Sequence, residues 1–166
     1  MPDLRLPDGM PTYLPDAERW LAGACLLSEP EELAGLSGHV GPRDFWLYDC
    51  ALVFGTCMEL TKTGQVPTVI AVAHWLDGKR RLDRAGGVPY LVRLAGEMMA
   101  AVYRSAGAMA GLGDFIHHYA ERRRIQQTAT AAVKAAHDGD VDGAREILQR
   151  EQPAHWADDE RYTEAT

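Results

Sequence analysis

Apolar residues recur three or four positions apart along most of this chain, and no stretch alternates polar with apolar residues as a β-strand would. The first such stripe lies on one face of a helix and comprises Ala17, Trp20, Leu21, Ala24 and Leu27. Later stripes are separated by glycine and proline, which favour turns. The spacing therefore predicts an all-α fold, and 166 residues are sufficient for one domain with one core.

Capping residues and glycines predict where these helices begin and end. Asp16 is expected to cap the first helix, Asp44 a helix over about residues 45–62, and Thr68 a short helix that follows it. Gly64 is expected to stop the helix before Thr68, because glycine readily adopts the left-handed conformation that ends many helices.

The region from about residue 100 to residue 138 is rich in alanine, which predicts a long helical segment. Gly107, Gly111 and Gly113 predict a break or tip within it. An apolar stripe runs along this segment and comprises Met109, Leu112, Ile116 and Tyr119. Because the segment has little bulk of its own, the stripe can be buried only against the rest of the chain or against a second copy.

Proline content and charge set the two ends of the chain apart from its middle. Residues 1–13 are expected to form a flexible leader, residues 14–139 a helical domain, residues 140–152 a short further helix, and residues 153–166 an acidic tail. Trp156 stands among the charges of that tail, which is therefore either a solvated end or a docking segment.

The chain is acidic, with a formal net charge of −7, which argues against a surface dedicated to nucleic acid. The charge is uneven, because residues 79–124 contain nine Lys or Arg and four Asp or Glu, a local charge of +5. This region could contact phosphates weakly, or it could simply be a solvated helix face. We therefore expect DNA binding to be weak and non-specific at most.

No pattern of residues points to catalysis, a cofactor or a metal. The chain lacks a Gly-x-x-x-x-Gly-Lys-Ser/Thr sequence, so it has no loop of the kind that binds nucleotide phosphates. His117, His118 and Asp114 suggest a metal site, but adjacent histidines lie on different faces of a helix, so surface polar residues are the simpler interpretation. We therefore expect no catalytic residues, no cofactor and no metal ligands.

The cysteines and the hydropathy pattern bear on the cellular compartment. Cys25, Cys50 and Cys57 form an odd set without paired spacing, which predicts buried free thiols. No apolar run approaches the roughly 20 residues that a membrane-spanning helix needs, and the first residues lack the layout of a signal peptide. These features predict a cytoplasmic protein that does not bind membranes.

Several landmarks along the chain occur in an order that resembles one known family. They are Ala17-Glu18, Asp44-Phe45-Trp46, Phe54, Gly86-Gly87, Tyr90-Leu91, Leu94 and Arg124. In the family an Ala-Glu pair opens the first helix, an Asp-Phe-aromatic segment precedes the third, and a Gly-Gly-x-x-Tyr-Leu-x-x-Leu segment comes later. From about Leu14 to Gly139 the chain resembles the N-terminal domain of the DnaB-type replicative DNA helicases.

The resemblance implies a small globular helical head followed by a helical hairpin. Family members pair through their hairpins, and six copies form a collar on the helicase ring that contacts primase and helicase loaders. The resemblance therefore favours a second copy of the chain as the surface that buries the apolar stripe between residues 100 and 138. The expected self-association residues are Met109, Leu112, Ile116, Tyr119 and Arg124. The expected core residues are Trp20, Leu21, Phe45, Trp46, Val53, Phe54, Tyr90, Leu91 and Leu94.

Our interpretation is a non-enzymatic assembly and partner-docking domain in DNA replication, present either as a fragment of a helicase or as a free-standing protein. Full-length members of the family that it resembles are ATP-dependent DNA helicases. The alternative is a helical DNA-binding regulator with a helix-turn-helix at about residues 60–76. Its recognition helix, Val69–Leu76, would carry no Lys or Arg and is apolar for a major-groove contact.

Overall fold

The computed structural model describes residues 14–100 and 106–150, and these form α-helices joined by short turns. No β-strand occurs within these two ranges. The helices are α1 (Leu14–Cys25), α2 (Pro30–Ala34), α3 (Tyr48–Lys62), α4 (Val69–Gly78), α5 (Gly87–Ala100), α6 (Ala106–His137) and α7 (Val141–Gln149). Two 3-10 turns, Gly35–Gly38 and Pro42–Asp44, lie between α2 and α3. The predicted leader and acidic tail, with Trp156, lie outside the described residues.

Helix α4 begins and α3 ends where the sequence predicts. The Thr68 hydroxyl accepts a hydrogen bond from the backbone N–H of Ala71 at 3.2 Å, which caps α4. Gly64 has a φ of +74° just after the end of α3, a conformation that glycine adopts without steric cost. These local rules therefore hold in the middle of the chain.

The predicted caps of α1 and α3 are wrong. Asp16 does not precede α1, because the helix already begins at Leu14. Asp44 does not cap α3, whose N-cap is Leu47. Asp44 instead closes the Pro42–Asp44 turn, where its carboxylate accepts a hydrogen bond from the backbone N–H of Gly41 at 2.8 Å. The Asp44 carboxylate thus stabilises the Pro42–Asp44 turn that precedes α3, and not the first turn of α3 itself.

Helix α1 lies at the centre of the head and packs against α3, α5 and α6. Gly23 permits the contact with α5, because a Cβ at this position would lie 2.4 Å from the carbonyl oxygen of Leu94. The rings of Phe45 and Phe54 stack with centroids 5.0 Å apart, and both side chains are fully buried. The largest fully buried side chains also include Leu21, Leu33, Leu36, Leu60, Leu76, Leu91, Leu94 and Met98.

Helix α6 carries the chain from the head into a helical hairpin. The sequence predicts a break or tip near Gly107, Gly111 and Gly113; α6 begins at Ala106, next to Gly107, and then runs without interruption through all three glycines. Gly113 serves close packing instead, since a Cβ there would lie 3.1 Å from Cγ1 of Val40. Helix α7 then packs back along α6 after a short turn in which Gly139 has a φ of +86°. The predicted all-α head followed by a helical hairpin is thereby confirmed.

Two groups of residues lie elsewhere than the sequence predicts. Trp46 is 44% exposed and therefore lies at the surface, while Trp20 is partly buried and packs against the core. Met109, Leu112 and Ile116 are at most 3% exposed, because the first half of α6 packs on α1 inside the head. Their prediction as a self-association face is wrong, since a second copy cannot reach side chains that the head already covers.

Candidate functional site

The junction between the head and the hairpin is built around one buried carboxylate, that of Asp44, whose side chain is 7% exposed. Helix α6 supplies its partners. Arg124 forms an ion pair with one carboxylate oxygen, and Nδ1 of His117 lies 3.1 Å from the other. Arg124 also pairs with Glu121 on its own helix. Because charge-assisted hydrogen bonds are stronger than neutral ones, this carboxylate ties the Pro42–Asp44 turn firmly to α6.

Arg123, the neighbour of Arg124, holds Trp46 in place. Its guanidinium lies 5.1 Å from the centroid of the Trp46 ring, within the range of a cation–π contact. It also donates a hydrogen bond to the backbone carbonyl of Asp44 at 3.1 Å. Burial lowers the pKa of Arg123, with Glu18 acting in the opposite direction. A charged partner from α6 therefore gives a large aromatic residue a defined position at the surface.

A second buried carboxylate, Glu18 of α1, holds the same segment from the side of the head. It accepts hydrogen bonds from the backbone N–H groups of Trp46 and Leu47, both at 2.7 Å. These amides lie at and just before the start of α3, where no carbonyl of that helix can pair with them. Burial raises the pKa of Glu18 to about 7, although the two backbone hydrogen bonds and Arg123 oppose the rise. Its carboxyl group therefore changes charge near neutral pH.

Glu18, Asp44, Arg123 and Arg124 together form what we call the junction cluster. It joins α1, the chain just before α3, and the middle of α6. The sequence identified Glu18, Asp44 and Arg124 as landmarks, but it assigned no partner to the two carboxylates, gave Arg123 no role and considered His117 only as a candidate metal ligand or surface residue. A detectable signal was the spacing of His117 and Arg124, which are seven residues apart and therefore share one face of α6.

Beyond the junction cluster, the hairpin exposes apolar side chains. Ile125 is 65%, Val133 69%, Val141 54% and Leu148 62% exposed. Ile125 and Val133 are eight residues apart and lie close to one face of α6, whereas Val141 and Leu148 are seven apart on α7. Ile125 and Leu148 line a depression of about 480 Å³ between the two helices. These four residues, which we call the hairpin patch, are absent from the predicted self-association set.

The other members of that predicted set have partners within the chain. Tyr119 is partly buried, its ring lies 4.6 Å from that of Phe115, and the guanidinium of Arg122 lies 5.5 Å from its centroid. Arg124 belongs to the junction cluster. The structure therefore places Met109, Leu112, Ile116 and Tyr119 on the inner half of α6 and Arg124 near its middle, while the residues of the hairpin patch lie on its outer half and on α7.

The histidines and acids of α6 are separated among different contacts. His39 Nδ1 lies 2.7 Å from Asp114, and His117 faces Asp44. Within the described residues, no group of three or more His, Cys, Asp or Glu side chains is arranged to hold a metal ion. Over the same part of the chain, no helix is both long and apolar enough to cross a membrane.

Comparisons with known proteins agree with this architecture. The family described as DnaB-like helicase N terminal domain matches residues 10–108. The chain belongs to this family. The replicative DNA helicase DnaB of Mycobacterium leprae (strain TN) is 29% identical over 138 residues, which is 82% of this chain and 22% of that protein. The chain thus spans about a fifth of the length of this curated relative.

A solved structure supports the same assignment. The crystal structure of the N-terminal domain of DnaB helicase from Mycobacterium tuberculosis matches with a TM-score of 0.70 and 25% sequence identity. The match covers 84% of this chain and 99% of that chain. The DnaB-like fold assignment therefore includes most of the chain.

The alternative of a DNA-binding regulator with a helix-turn-helix at residues 60–76 is not supported. In this DnaB-like domain, residue 60 lies inside α3, and α4 buries Val72, Ala73 and Leu76 in the core of the head. The exposed side of α4, with Ile70 at 82% exposure, carries no Lys or Arg before Lys79. Such a helix offers neither of the two side chains that most often contact phosphates and guanine edges in a major groove.

The three cysteines of the DnaB-like domain are free and buried. Burial raises the pKa of all three thiols above the ordinary value, so each stays protonated at neutral pH. Cys50 Sγ lies 3.5 Å from the hydroxyl of Tyr90, within the core. These thiols therefore act as small apolar side chains. Because they are buried and protonated, they are poor nucleophiles.

Proposed function

We propose that this chain is a non-catalytic assembly and partner-docking domain of a replicative DNA helicase. Membership of the DnaB-like N-terminal domain family supports the setting. One observation carries the proposal: a hairpin patch of four exposed apolar residues projects from a head that has buried its own core. In this proposal the chain works within a longer helicase or as a free-standing protein.

The hairpin patch favours self-association because water contacts apolar surface that a second copy can cover. An exposed Ile or Leu in isolation is ordinary, but two such residues line one depression between α6 and α7. A stable pair would bury on the order of 1,200 Å² or more in total. We infer that the hairpins of two copies meet along this outer half of α6 and along α7, and that the pair is the unit of a hexameric collar.

The junction cluster gives this assembly a defined geometry. A hairpin that met its partner but turned freely on the head would place the two heads at no fixed angle. Asp44 and Glu18 are both buried, and each fixes the chain before α3: Asp44 belongs to that chain and binds α6, whereas Glu18 belongs to α1 and binds the backbone of Trp46. We infer that they transmit the orientation of the hairpin to the head.

We further infer that primase or a helicase loader is the outside partner, since family members contact these proteins through the assembled collar. DNA has a smaller role in this proposal, because the chain carries a net charge of −7. Two partner classes are thus expected: a second copy on the hairpin and a replication protein on the assembled domain.

A charge placed in the hairpin patch tests the proposal. Ile125→Asp should convert a dimer into a monomer at micromolar concentration, because the carboxylate would be desolvated in an apolar contact. Ile70→Asp is the matched control, since Ile70 is even more exposed and lies on α4 of the head. Light scattering gives the mass of each chain, and circular dichroism shows whether it is folded.

The expected result is a dimeric wild type, a folded monomer for Ile125→Asp and a dimer for Ile70→Asp. A wild-type chain that is monomeric at these concentrations, or an Ile125→Asp chain that remains dimeric, would contradict the hairpin patch as the contact. Ile116→Asp is not a suitable variant, because Ile116 is fully buried and a charge there would unfold the head.

A further inference from the structure

A groove of about 250 Å³ lies between α3 and α4, away from the junction cluster and the hairpin patch. Ala51, Leu52 and Gly55 line it from α3, and Trp75 and Leu76 line it from α4. Its walls are therefore mostly apolar, and its volume is sufficient for a side chain from another segment. The assembly proposed above does not use this groove.

The side chains at one end of the groove are fixed and carry positive charge. Glu59 accepts hydrogen bonds from Nε1 of Trp75 at 2.9 Å and from Nζ of Lys79 at 3.1 Å. The Lys79 ammonium also lies 4.9 Å from the centroid of the Trp75 ring. Lys79 and Arg81 line this end of the groove together with Glu59, so two positive charges are set against one negative charge. The groove thus combines an aromatic wall with a cationic end.

The described chain ends near this groove. Pro42 lines the groove, while the adjacent residue Arg43 lines the depression that also includes Leu148 and Arg150 at the end of α7. Arg150, the last described residue, therefore lines a depression next to the groove. Six residues can span about 20 Å when extended, which allows residue 156 to reach the groove.

The composition of that segment complements the groove. Residues 151–166 carry five acidic residues against one arginine, together with Trp156 and Tyr162. We propose that this segment of the same chain docks in the α3–α4 groove, with Trp156 against the apolar walls and the acidic residues Asp158, Asp159 and Glu160 facing the cationic end. Aromatic side chains next to acids match an apolar groove with basic residues at its end.

Paramagnetic relaxation tests this contact in the full chain. In an Ala157→Cys variant, a thiol-reactive spin label should attach to the introduced cysteine alone, because Cys25, Cys50 and Cys57 are buried. The readout is the indole N–H signal of Trp75 in a nitrogen-15 spectrum, assigned with a Trp75→Phe variant. The Trp75 signal should lose most of its intensity and regain it when the label is reduced. The Trp20 signal should keep its intensity, because Trp20 lines a separate pocket with Asp16 and Arg93.

Two double variants separate the charge pairing from bulk electrostatics. Asp158→Lys with Asp159→Lys should restore the Trp75 signal in the labelled chain. Glu31→Lys with Asp138→Lys changes the net charge equally at exposed positions outside the segment and should leave the signal broadened. An unbroadened Trp75 signal in the labelled wild type, or equal recovery in both double variants, would overturn the proposal.

A mixed sample identifies which chain supplies the segment. Spin-labelled chain without nitrogen-15 is mixed with unlabelled nitrogen-15 chain, so only contacts between copies cause broadening. The Trp75 signal should keep its intensity in this mixture. Loss of the signal there would show that a second copy occupies the groove, and the assignment to the same chain would be wrong.

Discussion

Glu18 gives the domain a specific dependence of stability on pH. Its pKa is raised from an ordinary value of 4.5 to about 7, and the largest cause is burial. Below pH 4.5 the carboxyl group is protonated in both the folded and the unfolded chain, so the stabilisation that goes with the raised pKa is fully present. As the pH rises toward 7, the unfolded chain releases its proton first, and the free energy of unfolding falls.

The size of this loss follows from the shift of the pKa. One pKa unit corresponds to about 1.4 kcal/mol, so the full effect is on the order of 3 kcal/mol. Between pH 5 and pH 8 the domain should lose about 2–3 kcal/mol of that stabilisation. Glu18→Gln removes the titrating group. Its amide also sets one N–H donor against the backbone N–H of Trp46 or Leu47, at a cost of about 1–3 kcal/mol at every pH.

Urea unfolding of the wild type and of Glu18→Gln at the two pH values measures this effect. The difference in unfolding free energy between the two chains cancels the contributions of the titrating groups that both chains share. The stability of the wild type relative to Glu18→Gln should be larger at pH 5 than at pH 8. A difference that is constant, or that increases with pH, would refute the argument that burial outweighs the two backbone hydrogen bonds at Glu18.

Three further predictions concern the packing of the core, the binding of ATP and the binding of DNA. Phe54→Ala should cost about 3–5 kcal/mol in a urea titration, since the side chain is fully buried against Phe45, and an unchanged midpoint would contradict this packing. ATP with Mg²⁺ should not raise the melting temperature of the chain; a bound ligand at about 100 times its dissociation constant would add about 2.7 kcal/mol. Binding to duplex DNA in fluorescence anisotropy should be weak and should fall steeply with salt, whereas binding that resists salt and competitor DNA would revive the regulator hypothesis.

The sequence predicted much of the head because its helices follow local rules. Regular apolar spacing indicates which face of a helix is buried, and Leu21, Phe54 and Leu91 are all fully buried. Thr68 caps α4 by a hydrogen bond to a residue three positions away, and Gly64 ends α3 through its own φ angle. The local sequence is therefore sufficient to predict both helix ends. The caps at Asp16 and Asp44 failed because short acidic side chains have other uses: Asp16 pairs with Arg19 within α1, and Asp44 closes a turn and binds Arg124.

The candidate site was harder to predict because its contacts join residues far apart in the chain. Asp44 meets Arg124 across 80 positions, and Glu18 meets Leu47 across 29. Periodicity marked Ile116 as apolar and inward-facing on its helix, but it could not say whether the cover was the head or a second copy. That choice depends on how α6 crosses α1, which is a property of the whole fold.

The meeting of two hairpins is the central claim, and a distance between copies tests it most directly. A chain labelled at a single site, Gln126→Cys on the exposed outer half of α6, has one spin, so pulsed dipolar spectroscopy detects a distance only when two copies associate. The account predicts clear dipolar modulation with one defined distance, and its loss when Ile125→Asp is added. No modulation in the otherwise wild-type chain, or modulation unaffected by Ile125→Asp, would contradict assembly through the hairpin patch.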